Sequence, residues 1–395
     1  LSQHLVALVD DDPKPRVSFA AAGASYLEGA GVVDVDLVLE GPASFDLPVA
    51  YTFQGALSEG LDFQIRGPGM VRIPAGQSTA SFQVELLGDL IDELDEELVL
   101  RLMPGDDALI GAQQEFLLVA LDDDAPPVIA FDTASASALE SAGSQLIGMS
   151  LDSPSGLNVT GSVSLGGTAL DGSDFTFGAT TFTIPAGSLS ADLTLTPVDD
   201  PIDELGETVE LTLGGVGNAV IGSPSVHTFT LLDDDAAPVV QFDLASSAVL
   251  EGAGVHAMSI SLDVVSGLDV TVPFTVNGTA VDPADFGIDV SPVVIASGAQ
   301  SVLVNLTVVD DLLDESDETV VIGLGIPSNA TLGSLTSHTA TITDNDSAPV
   351  VQFDLASSAV LEGAGVHAMS ISLDAVSGLD VTVPFTVNGT AVDPA

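Results

Sequence analysis

The chemistry this sequence offers is carboxylate chemistry, and the carboxylates recur at fixed places. In the fullest instance Glu140 sits in Leu-Glu-Ser-Ala-Gly, Asp174 in Gly-Ser-Asp-Phe, Asp199 and Asp200 close an apolar run, Glu204 and Glu207 follow, and Asp233, Asp234 and Asp235 end the next apolar run. Further along stand Glu251, Asp285, Asp310, Asp311, Glu315, Glu318, Asp344 and Asp346, with Asn345 inside the triplet. Upstream stand Glu28, Asp62, Asp89, Glu93, Glu96, Asp122, Asp123 and Asp124, with Gly88 in place of the first Asp of the pair. With an earlier triplet at Asp10–Asp12 and a later Glu362, half of the 58 acidic residues occupy this one pattern. Carboxylates gathered at one pole repel one another strongly. Hard oxygen ligands in that number suit Ca²⁺, which accepts six to eight oxygens in a flexible shell, whereas Mg²⁺ demands a strict octahedron and holds its water. Zinc is disfavoured, because a structural zinc site draws on Cys and His and the chain has no Cys and 5 His.

Composition removes the other partners such an acidic chain could take. Lys and Arg total 5 against 58 Asp and Glu, for a net charge of −53. The basic residues are Lys14, Arg16, Arg66, Arg72 and Arg101, so the remainder of the chain has none. Nucleic-acid binding and attraction to an anionic membrane surface both need Lys or Arg, and neither is expected. Residues 102–395 cannot neutralise their carboxylates by ion pairing, which leaves metal ions or protons. Disorder, the usual consequence of such charge, is opposed by a 46% apolar content with only 16% charged residues, enough for a core. No apolar run reaches the length of a transmembrane helix, and no signal peptide opens the chain.

The elements that must position these acids are repeated. Residues 237–284 and 348–395 match at an offset of 111 and differ at a single one of their 48 positions, Val264 against Ala375. Looser copies lie upstream. We divide the chain into the end of a preceding repeat (1–12), three whole repeats (13–124, 125–235, 236–346) and a partial one (347–395), a window on a longer array. The junctions are short and carry Pro13, Pro15, Pro126, Pro127, Pro238 and Pro349, which favours extended, stiff links. Within a repeat the period is two. Leu98, Leu100 and Leu102 alternate with Val99 and Arg101; Leu193 and Leu195 alternate with Thr194 and Thr196. Gly, Asn, Asp and Pro break these runs at short intervals. The expectation is all-β: tandem immunoglobulin-like antiparallel β-sandwiches of about seven strands each.

At these residues the chain resembles tandem Calx-beta domains, the calcium-binding immunoglobulin-like modules of sodium–calcium exchangers, extracellular matrix proteins and large bacterial surface proteins. The resemblance rests on Glu-Gly-Ala-Gly (251–254 and 362–365), Asn-Gly-Thr-Ala…Asp-Phe (277–286), Val-Asp-Asp…Asp-Glu…Glu-Thr (198–208 and 309–319) and the closing acidic triplet. It implies that the early Glu, the Asp before Phe, the Asp pair, the two following Glu and the triplet bind Ca²⁺ at one end of each domain. Pro201 and Leu312 depart from the pattern where exchangers often have a third Asp.

The plainer readings are a solvated acidic linker, or acid enrichment for solubility at high salt. The first is opposed by acids that recur together, the second by strand faces that read largely Thr, Ser and Val. His227 and His338 are equivalent repeat positions, as are His256 and His367, and they read as structural. No Walker loop, Gly-x-Ser-x-Gly or His-Glu-x-x-His occurs, and carboxylates recurring in every repeat do not describe an active site, so no catalysis is expected. The expected function is a calcium-binding structural array, a rigid stalk or filament segment of a secreted or cell-surface protein with an adhesion or matrix role. Its expected partners are neighbouring repeats, other copies in a fibre, and a surface receptor or glycan reached through other regions, without membrane insertion. The alternatives are a calcium-sensing regulatory module and a calcium-dependent glycan-binding module.

Overall fold

Alternation decides the architecture. In the strand Gly31–Glu40, Val33, Val35, Leu37 and Leu39 are buried while Asp34, Asp36, Val38 and Glu40 face solvent. A strand with one apolar face must bury it against a second sheet. The computed structural model describes residues 5–7, 11–41 and 43–390, and Asp10 of the upstream triplet lies outside them. Among the described residues every regular element is a strand, except one 3₁₀ turn at Glu251–Ala253. No helix is long and apolar enough to cross a membrane.

The chain forms two compact units. The first contains residues up to Ala138, then Ala142–Val198 and Glu207–Leu231; the second contains Leu139–Ser141, Asp199–Gly206 and the described residues from Leu232 onward. The first sandwich, wholly in the first unit, has strands β1 (Arg16–Phe19), β2 (Gly23–Leu27), β3 (Gly31–Glu40), β4 (Leu47–Gly55), β5 (Phe63–Arg66), β6 (Met70–Ile73), β7 (Thr79–Leu86), β8 (Glu96–Leu102), β9 (Leu109–Ile110) and β10 (Glu115–Leu121). They build two sheets, ordered β5-β7-β3-β1-β9 and β2-β10-β8-β4-β6. Ten strands replace the expected seven or so because pieces such as the two-residue β9 and the four-residue β5 are too short to show a period in sequence.

The chain changes sheet between β1 and β2, and this places the acids. β1 pairs with β3 in one sheet, whereas β2 lies parallel to β10 in the other, in the register Leu27↔Leu121. Glu28 and the triplet Asp122–Asp124 therefore leave the same end of the sheet. β5 pairs with β7 in the register Phe63↔Leu86, so Asp62 and the loop carrying Asp89 share a pole. β8 enters from that pole, with Glu96 opposite Ala120. The pole is thus built from the ends of five strands.

Most of the second sandwich also lies in the first unit, and its first sheet repeats the order with Phe175–Phe177, Ser190–Pro197, Gln145–Leu151, Val128–Phe131 and Val220–Ile221. The third sandwich, in the second unit, has the same five-stranded sheet, but its other sheet is four-stranded, with Val270–Val272 and Val293–Ile295 split off as a pair. Pro273 lies at the break, where a residue without an N–H cannot continue the ladder. Of the partial repeat, Val351–Phe353 pairs with Ile371–Leu373.

Each sandwich has its own core of Val, Leu, Ile and Phe. Leu100 is fully buried in the first. Leu100→Ala is expected to cost about 3 kcal/mol of unfolding free energy, read by denaturant titration, because the emptied site sits between two sheets that cannot collapse onto it. His227 and His338 are core residues whose Nδ1 atoms hydrogen-bond the backbone oxygens of Thr133 and Leu244.

Candidate metal centre

The pole of the first sandwich brings Glu28, Asp89 and Asp124 together, with one carboxylate oxygen from each lying within 4.8 Å of the others. Glu28, Asp62, Asp89, Glu93 and Glu96 line a single cleft. Local turns fix the loops. The Ser58 N–H donates to Asp62 Oδ2 at 2.6 Å and the Ile91 N–H to Asp89 Oδ1 at 2.8 Å, which leaves the second oxygen of each carboxylate to its surroundings. The Glu93 N–H donates to Asp122 Oδ1 at 3.1 Å and ties the loop to the triplet. Asp123 is exposed and lines a pocket with Glu28, Asp89 and Asp124.

The same turns recur in the other repeats. The Leu170 N–H donates to Asp174 Oδ2 and the Val281 N–H to Asp285 Oδ2, both at 2.6 Å. The Ile202 N–H donates to Asp200 Oδ1 at 2.9 Å and the Leu313 N–H to Asp311 Oδ1 at 2.8 Å. In the second unit Glu140, Asp200 and Asp235 form one trio, and Glu140, Asp199 and Asp234 form another. Asp233 Oδ1 accepts the Glu204 N–H there at 3.2 Å. Asp174 and Glu207 belong to the first unit, with Glu207 opening the strand Glu207–Gly217. In the third sandwich Glu251, Asp344 and Asp346 form the trio. Glu251, Asp285, Glu315, Glu318 and Asp344 line a cleft.

Two departures in sequence have visible consequences. A Cβ on Gly88 would lie 2.8 Å from the Gly29 Cα, so backbone fills the place of the first Asp of the pair. In the third repeat the Asn345 Nδ2 donates to Asp310 Oδ1 at 3.2 Å, so an amide occupies that carboxylate where the second repeat has Asp234. The double trio is thus peculiar, among the described residues, to the second repeat. Of the partial repeat's acids, Glu362 lies on an exposed turn.

The electrostatics are those of a site short of cations. Glu28 Oε1, Asp124 Oδ2, Glu140 Oε1, Asp235 Oδ2, Glu251 Oε2, Asp344 Oδ1 and Asp346 Oδ2 are buried without a hydrogen-bond partner. A buried acceptor left unpaired is costly, more so when charged. Desolvation, followed by the neighbouring carboxylates, raises Glu28, Glu251 and Glu318 from 4.5 to about 7 and Glu140 to about 8. Asp92 and Asp203 are raised for the same two reasons. The ion pairs among the described residues, Arg66–Glu85, Arg72–Asp46 and Arg101–Glu115, all lie on the first sandwich and none includes a member of a trio, although Glu85 borders the pocket that holds Glu28, Asp89 and Asp124. Unpaired, anionic and hard, this donor set fits Ca²⁺.

A pH dependence follows. Each raised Glu has a folded-state pKa above its unfolded value of 4.5, so its contribution to stability is complete below about 4.5 and is lost as pH rises through 7 to 8. In chelator the melting temperature is therefore expected to fall between about pH 5 and pH 8. Asp46 and Asp243, whose pKa values are lowered by hydrogen bonds, act oppositely, but only below this window. In excess calcium the trend should flatten or reverse, because the ion competes with the proton for the same oxygens. Scanning calorimetry across pH with and without chelator reads both curves.

A tandem array of β-sandwich repeats, each whole repeat gathering carboxylates into a trio, defines a class of oxygen-donor ion-binding modules. The Calx-beta domain family matches residues 10–119, 122–235, 233–347 and 344–395, and the chain belongs to it, in tandem copies. Calx-beta domains are calcium-binding modules. Among solved structures the chain is similar to CBD12 from CALX1.2 (18% identity, 54% of this chain and 99% of that one, TM-score 0.27). It is also similar to the calcium-binding domain CBD12 of CALX1.1 (16%, 54% and 98%, TM-score 0.27). A third likeness is to the apo form of the Calx CBD1 domain (20%, 28% and 100%, TM-score 0.27).

The recurring acidic pattern of the sequence does not include Asp92, Asp203 and Asp314. They stand 111 residues apart, in the loop between the Asp pair and the following Glu. That spacing was the signal available. The pattern also omits Asp95 and Asp317, which accept the N–H groups of Asp122 and Asp344.

Proposed function

We propose that this chain is a calcium-binding structural array, a rigid stalk or filament segment of a secreted or cell-surface protein with an adhesion or matrix role. The observation that carries the reading is the set of buried, partnerless carboxylate oxygens that recurs in each whole repeat. Glu28, Asp89 and Asp124 would hold an ion in the first repeat, Glu140, Asp200 and Asp235 in the second, and Glu251, Asp344 and Asp346 in the third. Asp62, Glu93, Glu96, Asp285, Glu315 and Glu318 border the same clefts. Calcium there would neutralise carboxylates with which no Lys or Arg ion-pairs among the described residues. Asp199 and Asp234 supply a second trio, so the second repeat is expected to bind at least one more ion than either neighbour.

A structural role is supported by the near-identity of residues 237–284 and 348–395, which favours array length over one specialised site, and by the proline-bearing junctions. The test is a distance distribution between spin labels on the first and third sandwiches, by pulsed electron resonance. A narrow distribution in calcium that broadens in chelator is the expected result. An equally broad distribution in both would remove the rigid-stalk reading while leaving ion binding to be judged separately.

A further inference from the structure

The loop bearing Asp92, Asp203 or Asp314 touches the following repeat. In the first unit the Gly156 N–H donates to the Asp92 backbone oxygen at 3.0 Å. The Ser155 hydroxyl lies 3.3 Å from that oxygen and 3.4 Å from Asp92 Oδ2, and accepts the Leu157 N–H at 3.1 Å. Ser155 is 1% exposed, a polar side chain wholly enclosed by this contact. In the second unit the arrangement occurs twice more. The Gly267 N–H donates to the Asp203 backbone oxygen and the Gly378 N–H to that of Asp314, both at 3.1 Å. Ser266 is 1% exposed and its hydroxyl accepts the Leu268 N–H at 3.0 Å. The Ser377 hydroxyl lies 3.3 Å from Asp314 Oδ2.

The glycine of each pair lets a glutamate side chain close over it. A Cβ at Gly156 or Gly267 would stand 2.6 Å from the Cγ of Glu93 or Glu204, and one at Gly378 2.7 Å from that of Glu315. The glutamate stem lies across the bare Cα, so any side chain there meets it. The first repeat makes the same turn without these residues. Its Gly76 N–H donates to the Ala43 backbone oxygen as the Gly187 and Gly298 N–H groups donate to those of Ser155 and Ser266, and Ser44 follows Ala43. Ala43 has no hydroxyl to offer, and Ser44 carries the Cβ that the other turns lack.

We propose that the Ser-Gly turn is a docking surface for the Asp-containing loop of the repeat before it, and that this pair is the code deciding which repeats can be direct neighbours. The second, third and fourth repeats carry the accepting turn; the first has Ala43 and Ser44 in its place, so this pair cannot form at its junction with a preceding repeat. A Ser hydroxyl, a backbone N–H and a bare Cα recognise a loop that presents a backbone oxygen, a carboxylate and a Glu stem. The surface is therefore specific to copies of this chain's own repeat. The contact is made by protein atoms, beside Glu93, Glu204 and Glu315.

Hydrogen–deuterium exchange on the full chain tests it, with the variants Gly156→Val and Ser155→Ala and, as an internal control, Ser44→Val at the corresponding turn of the first repeat. Gly156→Val is read at residues 91–93 and 157, and Ser155→Ala also at the Gly156 amide. Both are expected to speed exchange there about tenfold, the loss of one protected hydrogen bond, with the strands Glu96–Leu102 and Gln145–Leu151 unchanged. Ser44→Val should change neither junction. Equal protection in wild type and both variants would overturn the proposal, as would loosening of the flanking strands together with the junction, which would mean a fold defect. Each measurement is made in calcium and in chelator. A junction opened by the variants in both media supports docking even where wild type ignores calcium, so failure of the ion reading and failure of this one give different results.

Discussion

Excess calcium is expected to raise the melting temperature of the chelator-treated chain by roughly 10–20 °C, with magnesium giving a much smaller rise. An ion bound only by the folded state adds about 4 kcal/mol per site at a thousandfold excess over its Kd. For sandwiches of this size that energy translates into a shift of this order. The magnitude is large here because the reference state is poor. Glu28, Glu140 and Glu251 each hold a buried oxygen with no donor and face further carboxylates, and among the described residues no Lys or Arg pairs with these poles. Magnesium falls behind because acids set on the ends of five strands do not form the strict octahedron it demands.

The second large effect is a reversal of sign. The double variant Glu140→Gln, Asp235→Asn keeps the shapes of two adjoining side chains and removes two ionisable carboxyls from the trio with Asp200. In chelator it is expected to melt higher than wild type, because desolvation and mutual repulsion no longer act on Glu140. In saturating calcium it should melt lower, having lost about 4 kcal/mol of ion-linked stability in the second repeat. Curves that cross in this way separate a binding site from an ordinary structural cluster. A structural cluster would be weakened in both media, and a solubilising one would be indifferent in both. Calorimetric melts of the two proteins side by side give the answer.

Much of this is legible in the sequence. Period-two runs such as Leu98, Leu100 and Leu102 gave strands whose apolar side is the buried side. The 111-residue spacing marked the acids as one recurring set, which chance scatter over a soluble surface does not produce. The path by which those acids meet was not legible, because it depends on a change of sheet. The parallel pairing of Gly23–Leu27 with Glu115–Leu121 is a long-range choice made by packing, and no local residue announces it. The meaning of Gly88 was half legible. Sequence showed a missing ligand; the fold shows that the backbone of Gly29 fills the gap. Asp92, Asp203 and Asp314 were hidden by abundance. In a chain with 58 acids, an aspartate that hydrogen-bonds a neighbouring repeat looks like one more carboxylate until its partner is seen.

Calcium titration of the intact chain by calorimetry, with magnesium as competitor, addresses the central claim most directly. Saturable binding of several ions per chain, scarcely displaced by equimolar magnesium and reduced by Glu140→Gln with Asp235→Asn, is the predicted result. An absence of saturable binding up to the millimolar range, with the double variant indistinguishable from wild type, would contradict the account and return these carboxylates to the role of a solvated acidic surface.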